Sequence, residues 1–245
     1  HAEYEFSKNI FWKIRISKTL DLAASCSADN SVIAVASIYD DLVEKLIAEG
    51  GHLAKEGDYE KIAAVLWEDG HLNTKAVVLK PQVLCEMAGV DIPADAKFII
   101  MPETGTGPDH PYSGEKLSVI MAFYKVSDID EAIALTNQIQ DYQGKGHSCG
   151  IYSNSDDNIL KMGMGTKTSR VMVNQPQAAS NSGNLWNGMR QTFSLGCGTW
   201  GGNSTNENIN WKHLINVTRI SKPLDTPKVI PADNELFGDV IKTLA

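Results

Sequence analysis

The chain has 245 residues, 42% hydrophobic and 21% charged, with a formal net charge of −8. This length and balance suit one large or two small globular domains with ample core. The acidic surplus argues against non-specific nucleic-acid binding, and no apolar run reaches the roughly 20 residues of a membrane helix.

Helix and strand signals alternate along the chain. Residues 32–38 read as a strand, followed by a helix over 39–49. Leu42, Val43, Leu46 and Ile47 form that helix's apolar face, and Gly50-Gly51 stops it. A second helix is expected over 58–68, with Ile62, Val65 and Leu66 on one side. Short strands are expected at 76–79 and 97–101, and between them a helix over 81–88 starts on Pro81. Residues 118–126 read as a strand. A helix over 128–142 follows, with Ser127 or Asp128 as its cap and Ile129, Ala132, Ile133 and Ile139 facing inward. Strands are expected at 149–153, 171–174 and 213–220. Residues 175–210 have no period and are rich in Asn, Ser and Gly; Trp186, Phe193 and Trp200 mark them as ordered, site-lining loops. The tail from Lys222 carries Pro223, Pro227 and Pro231 and ends in a short helix over 236–244. Such alternation predicts an α/β fold with a largely parallel sheet. The first residues lack a charged-then-apolar signal pattern, which predicts a cytoplasmic protein.

The four cysteines, Cys26, Cys85, Cys149 and Cys197, are widely spaced and include no C-x-x-C pair. Neither a disulfide framework nor a metal site is indicated. Cys26 stands apart because it lies in Ser25-Cys26-Ser27-Ala28-Asp29-Asn30-Ser31, a small-residue turn at a strand edge. A thiol there can be approached, so Cys26 is the candidate nucleophile, against the plain alternative of a small buried cysteine. Gly163-Met164-Gly165-Thr166-Lys167 imitates a phosphate loop, but its spacing is wrong. Arg170 is a candidate anion contact or a structural arginine. Gly196, Gly198, Gly201 and Gly202 surround Trp200, as suits close approach to a ligand or a tight turn anchored by the tryptophan.

Four blocks occur in order: the cysteine turn, Glu115-Lys116-Leu117-Ser118, Gly146-His147-Ser148, and Leu195-Gly196-Cys197-Gly198-Thr199-Trp200-Gly201-Gly202-Asn203-Ser204. Over residues 16–220 this order resembles the CoA-acylating branch of the aldehyde dehydrogenase superfamily. The branch includes acetaldehyde, succinate-semialdehyde and sulfoacetaldehyde dehydrogenases and the aldehyde half of aldehyde-alcohol dehydrogenases. The resemblance implies the catalytic part of that fold, with the dinucleotide-binding half preceding it and not contained in this sequence. It implies oxidation of a small aldehyde to its acyl-CoA with NAD or NADP as cofactor and coenzyme A as co-substrate. Cys26 would be the nucleophile, Glu115 the holder of the nicotinamide ribose, and His147 the base for the CoA thiol. Arg170, Gly198, Trp200, Gly201 and Asn203 would line the substrate or CoA pocket. Where the family has proline after the Glu-Lys-Leu-Ser block, this chain has Val119, and Leu22-Ala23-Ala24 replaces a small polar run.

The organisation so implied is a leader or remnant of the cofactor-binding half over 1–21, a catalytic domain over 22–210, and an oligomerisation strand and tail over 211–245. The strand at 213–220 would pair two copies. The alternatives are a non-catalytic assembly domain of the same fold, or a hydrolytic enzyme that releases a free acid.

Overall fold

The computed structural model describes residues 10–244. The chain divides after Asn210 into two compact units. The first is built on a four-stranded parallel sheet with strand order β1-β6-β5-β2. Its strands are β1 (Ser31–Val35), β2 (Gly51–Leu53), β5 (Phe98–Pro102) and β6 (Ile120–Val126). The central strands β5 and β6 are apolar at almost every position, because both of their faces are covered. Ile99, Met101, Ile120, Ala122 and Tyr124 join one core, and Phe98, Ile100, Met121 and Phe123 join the other. The period of two therefore feeds two separate layers from one sheet.

Helices α3 (Asp58–Leu66) and α4 (Pro81–Ala88) cover the first face through Ile62, Leu66 and Leu84. Helices α1 (Ile10–Thr19) and α2 (Ala36–Ala48) cover the second through Ile14, Leu42 and Leu46. Between α3 and α4, β3 (Trp67–Glu68) and β4 (His71–Leu72) form a minimal hairpin. Its turn residues Asp69 and Gly70 both have positive φ, as a two-residue hairpin turn of this hand requires. Helix α5 (Ile129–Tyr142) starts at Asp128, whose side chain accepts from the N–H groups of Asp130 and Glu131. The Glu131 carboxylate reaches back to the N–H and hydroxyl of Ser127, a reciprocal cap.

A second parallel pair joins β7 (Cys149–Ile151) to β8 (Val171–Val173), with α6 (Asp156–Gly165) between them and α7 (Gln177–Ser180) after them. Helix α6 has no counterpart in the sequence reading. Its Leu160 and Met164 are exposed and Met162 is its one buried residue, so no apolar face is legible. Ser155 starts it by accepting from the N–H of Asn158.

Other differences have local causes. Residues 76–79 form a turn instead of a strand, with Val78 at φ 56 and its N–H donated to Leu117 O. Helix α1 lies in the span expected to be a leader, of which residues 1–9 fall outside the described residues. It is tied to the unit: Ser17 Oγ accepts from Ala178 N, and Arg15 pairs with Glu49 at 2.8 Å. The second unit holds α8 (Asp233–Leu244) and a single turn at Trp211–His213. Residues 213–220 form no strand within the chain. A strand needs a partner edge, and residues 214–220 are exposed, including Leu214, Ile215, Val217 and Ile220.

Candidate active site

Cys26 is exposed in the turn that leads into β1. Three consecutive residues before it, Asp21, Leu22 and Ala23, have φ of 49°, 52° and 61°. Left-handed backbone is costly for residues with a Cβ, and least so for Asp or Asn. Leu22 occupies such a position and packs its side chain against the second core. The turn then tightens as Ala28 N donates to Ser25 O and Ser27 N to Ser25 Oγ. Asn30 Oδ1 accepts from Lys116 N at 3.2 Å, and Asp29 Oδ1 accepts from Gln177 Nε2 at 3.1 Å.

Beneath this turn lie three charged side chains that the sequence reading did not single out. Lys116 is buried, and its ammonium donates to Tyr112 O and Gly114 O at 2.6 and 2.8 Å. Burial drives its pKa well below the usual lysine value. Lys18 is 0% exposed, and its ammonium has no hydrogen-bond partner among the described residues. Burial lowers its pKa to about 7, with Asp29 opposing. Burial also pushes the Asp29 carboxyl up to about 6, against Ser17, Lys18 and Gln177. Lysine is so regularly a surface residue that no sequence signal marks these as anchors.

His147 reaches Cys26 from the other side of the unit. Its Nε2 lies 3.2 Å from Cys26 Sγ, and its Nδ1 lies 2.7 Å from Ser148 Oγ. With the proton on Nδ1, the ring donates to Ser148 and accepts the thiol proton at Nε2. Burial, helped by the Arg170 charge, holds the imidazole pKa below its usual value, so the neutral base dominates at neutral pH. Cys85 and Cys149, unlike Cys26, are buried. Burial lifts the Cys85 thiol to about 11 and raises that of Cys149.

A cleft of about 1210 Å³ opens beside the pair. Cys26, Asp29, Asn30, Glu115, His147 and Gln177 supply polar groups, and Ile129, Ala132 and Ile139 of α5 supply an apolar wall. Glu115 is half-buried, and its N–H donates to Gln143 Oε1 at 2.8 Å. Its carboxylate makes no hydrogen bond among the described residues. An acceptor-only group open to the cleft fits a ligand that presents hydroxyl donors. The Val119 side chain, where the family has proline, is fully buried in the second core.

Arg170 is not an open anion contact. It is 5% exposed, and its guanidinium donates to Asn208 Oδ1, His147 O, Gly196 O and Glu207 O. The expectation for Gly198, Trp200, Gly201 and Asn203 also changes, since none of them lines the cleft shared by Cys26 and His147. Their loop backs the histidine. A Cβ placed on Gly146 would lie 2.3 Å from Cys197 O and 2.7 Å from Gly201 N. Asn203 Oδ1 braces the loop by accepting from Cys197 N. The Trp200 side chain is 49% exposed, and Trp186 and Phe193 are exposed as well. The close approach that four glycines signal is thus between two backbones. Among the described residues, no group of three metal-ligating side chains converges, and no helix is long and apolar enough to cross a membrane.

No protein-family model matches the chain. A sulfoacetaldehyde dehydrogenase from an Acholeplasma species is 38% identical over 235 residues, covering 94% of this chain and 48% of that protein. The succinate-semialdehyde dehydrogenase (acetylating) of Clostridium kluyveri is 36% identical over 214 residues, covering 87% of this chain and 47% of that protein. The crystal structure of an acetylating aldehyde dehydrogenase from Geobacillus thermoglucosidasius superposes with a TM-score of 0.84 at 33% identity, over 89% of this chain and 48% of that one. The chain spans about half the length of the curated relatives it matches.

Two outcomes follow from this geometry. Gly146→Ala adds a methyl where two backbone atoms already stand, at a left-handed φ of 84°. It should lower stability in urea unfolding by roughly 2–4 kcal/mol and slow alkylation of Cys26 by displacing His147. A variant with unchanged midpoint and unchanged alkylation would show that the loop does not press on the histidine. The second outcome concerns Lys18. Its folded-state pKa lies below the unfolded value, so the folded state binds fewer protons between about pH 7 and the ordinary lysine pKa. Stability conferred by this group is full above that window and is lost as pH falls through 7. Lys18→Met should therefore be more stable than the parent at pH 6.5, and the advantage should shrink by pH 9.5. Equal differences in urea midpoint at both pH values would refute the buried-ammonium reading.

Proposed function

The chain is homologous to the acylating aldehyde dehydrogenases across most of its length, and from that premise we propose that it carries the cysteine-bearing part of an enzyme converting an aldehyde to its acyl-CoA with NAD or NADP and coenzyme A. The observation that carries this reading is the 3.2 Å approach of His147 Nε2 to Cys26 Sγ at the rim of the cleft. The thiolate is the attacking form of a cysteine, and a neutral imidazole in contact with the thiol accepts the proton that must leave.

Cys26 attacks the aldehyde carbon, forming a C–S bond and placing negative charge on the aldehyde oxygen. The Cys26 N–H makes no hydrogen bond to the described residues, so it is free to donate to that oxygen. Glu115 would hold the nicotinamide cofactor through its ribose hydroxyls. When bound, that cofactor supplies the hydride acceptor which turns the adduct on Cys26 into a thioester. His147 releases the Cys26 proton to solvent and then, neutral again, takes the proton of the CoA thiol; the new C–S bond forms to CoA, and Cys26 leaves as thiolate. A thiolate attacks a thioester far better than water does, so this half-reaction needs no strong water-activating base.

Two of the relatives act, by name, on aldehydes that carry an acidic tail, sulfoacetaldehyde and succinate semialdehyde. We extend that substrate class to this chain. Arg170 is committed to protein acceptors, so a different group would meet the acidic tail.

Brief iodoacetamide treatment at neutral pH, mapped by mass, should label Cys26 ahead of Cys197, Cys85 and Cys149. With the cofactor-binding half supplied by co-expression, His147→Ala should lose about 10²–10⁴-fold in CoA-dependent turnover and should also slow the burst of NADH. Full turnover in that variant would make His147 structural, and an unchanged burst would confine its action to the CoA half-reaction. Self-association belongs to the same proposal. The exposed Leu214, Ile215, Val217 and Ile220 suit pairing with a second copy, and a strand edge recruits another chain readily. Sedimentation at micromolar concentration should show at least a dimer; a stable monomer would sink this part.

A further inference from the structure

Arg170 is an expensive residue to bury, and among the described residues no carboxylate pairs with it. Its neutralisation comes wholly from oxygen dipoles: Asn208 Oδ1 at 3.0 Å, His147 O at 3.1 Å, Gly196 O at 2.7 Å and Glu207 O at 3.4 Å. Asn208 is itself held, donating from Nδ2 to Asn181 O and Arg190 O at 3.0 and 2.8 Å. A guanidinium can bridge several acceptors in one plane, whereas an ammonium cannot hold the same fork. The acceptors come from three separate segments: the His147 turn, the glycine loop, and the strand-like stretch around Asn208.

We propose that Arg170 is a positioning residue for the Cys26–His147 pair, clamping the His147 backbone to the glycine loop so that the imidazole stays in contact with the thiol. This rests on the functional reading of that pair and adds the group that sets its geometry. Arg170 immediately precedes β8, and β8 is hydrogen-bonded to β7, the strand that His147 leads into. The bridge between Gly146 and Thr168 extends the same ladder back to the histidine turn. The clamp thus ties His147 to a sheet on one side and to the loop 196–203 on the other. Ser148 fixes the ring orientation through Nδ1, and Arg170 fixes the backbone from which the ring projects.

The charge of Arg170 acts alongside its geometry. It disfavours a proton on His147. The other ionisable groups around His147 are Cys26 on the turn before β1, Cys149 two residues on, and Cys197 on the loop covering Gly146. Lys145 and Lys167 are both paired with Asp141 of α5. Among the described residues, Arg170 is therefore the fixed cation next to the histidine backbone that has no acidic partner.

The test uses the 245-residue chain and two readouts. First, NMR of the imidazole follows His147 titration in the parent and in Arg170→Met. The midpoint should rise when the fixed charge is removed. Second, iodoacetamide rates at Cys26 are measured for the parent, Arg170→Lys, His147→Ala and the double variant. Arg170→Lys keeps the charge and loses the fork, and should slow Cys26 by about tenfold. In the His147→Ala background the same change should have almost no effect, because the arginine acts through the histidine. An unmoved midpoint in folded Arg170→Met, or an equal loss from Arg170→Lys with and without His147, overturns the proposal. If Arg170→Met does not fold, the rate cycle decides. A parent chain in which Cys26 reacts no faster than Cys197 refutes the functional reading instead, while the His147 midpoint still reports on Arg170.

Discussion

The contact between Cys26 and His147 joins residues 121 positions apart, and much of the first unit exists to hold its two sides. Cys26 enters from the turn before β1, a sheet edge pinned in register to β6. His147 enters from the turn before β7, pinned to β8. Neither turn is stable by itself. A sulfur–nitrogen distance of hydrogen-bond length needs each backbone placed to within a fraction of an ångström, and only packed elements provide that.

The two sides are held by different means. Under Cys26 the supports are buried lysines, with Lys116 clasping the carbonyls of Tyr112 and Gly114, and Lys18 sharing the interior with Asp29. Under His147 the support is a guanidinium that gathers oxygen dipoles, together with a glycine loop pressed against Gly146. Buried cations cost desolvation energy, and their retention here fits placement of a site better than stabilisation of a core. The left-handed run from Asp21 to Ala23 has the same character, since strained backbone persists where the surroundings over-determine it. The cleft wall, by contrast, is ordinary helix packing, with Ile129, Ala132 and Ile139 repeating on one side of α5.

By itself the sequence determined the alternation of strands and helices, because periods of two and 3.6 are written in apolar residues. It also marked the cap of α5, the proline start of α4, and Cys26, Glu115 and His147 as chemical groups in recognisable blocks. It could not reveal α6, where Leu160 and Met164 are exposed and Met162 alone is buried, or the turn at 76–79, whose Val78 and Leu79 look like a strand. Tertiary structure alone decided what the polar residues do. Arg170 stays open between an anion contact and a structural arginine until its four oxygen partners are seen, and nothing in the sequence marks Lys18 and Lys116 as buried. The glycine loop with Trp200 reads as a pocket wall until it is found behind the histidine. The physical reason is one of range. Periodicity and capping are local and survive in a string of residues, while the partners of a buried charge come from segments far apart in sequence and meet only in the fold.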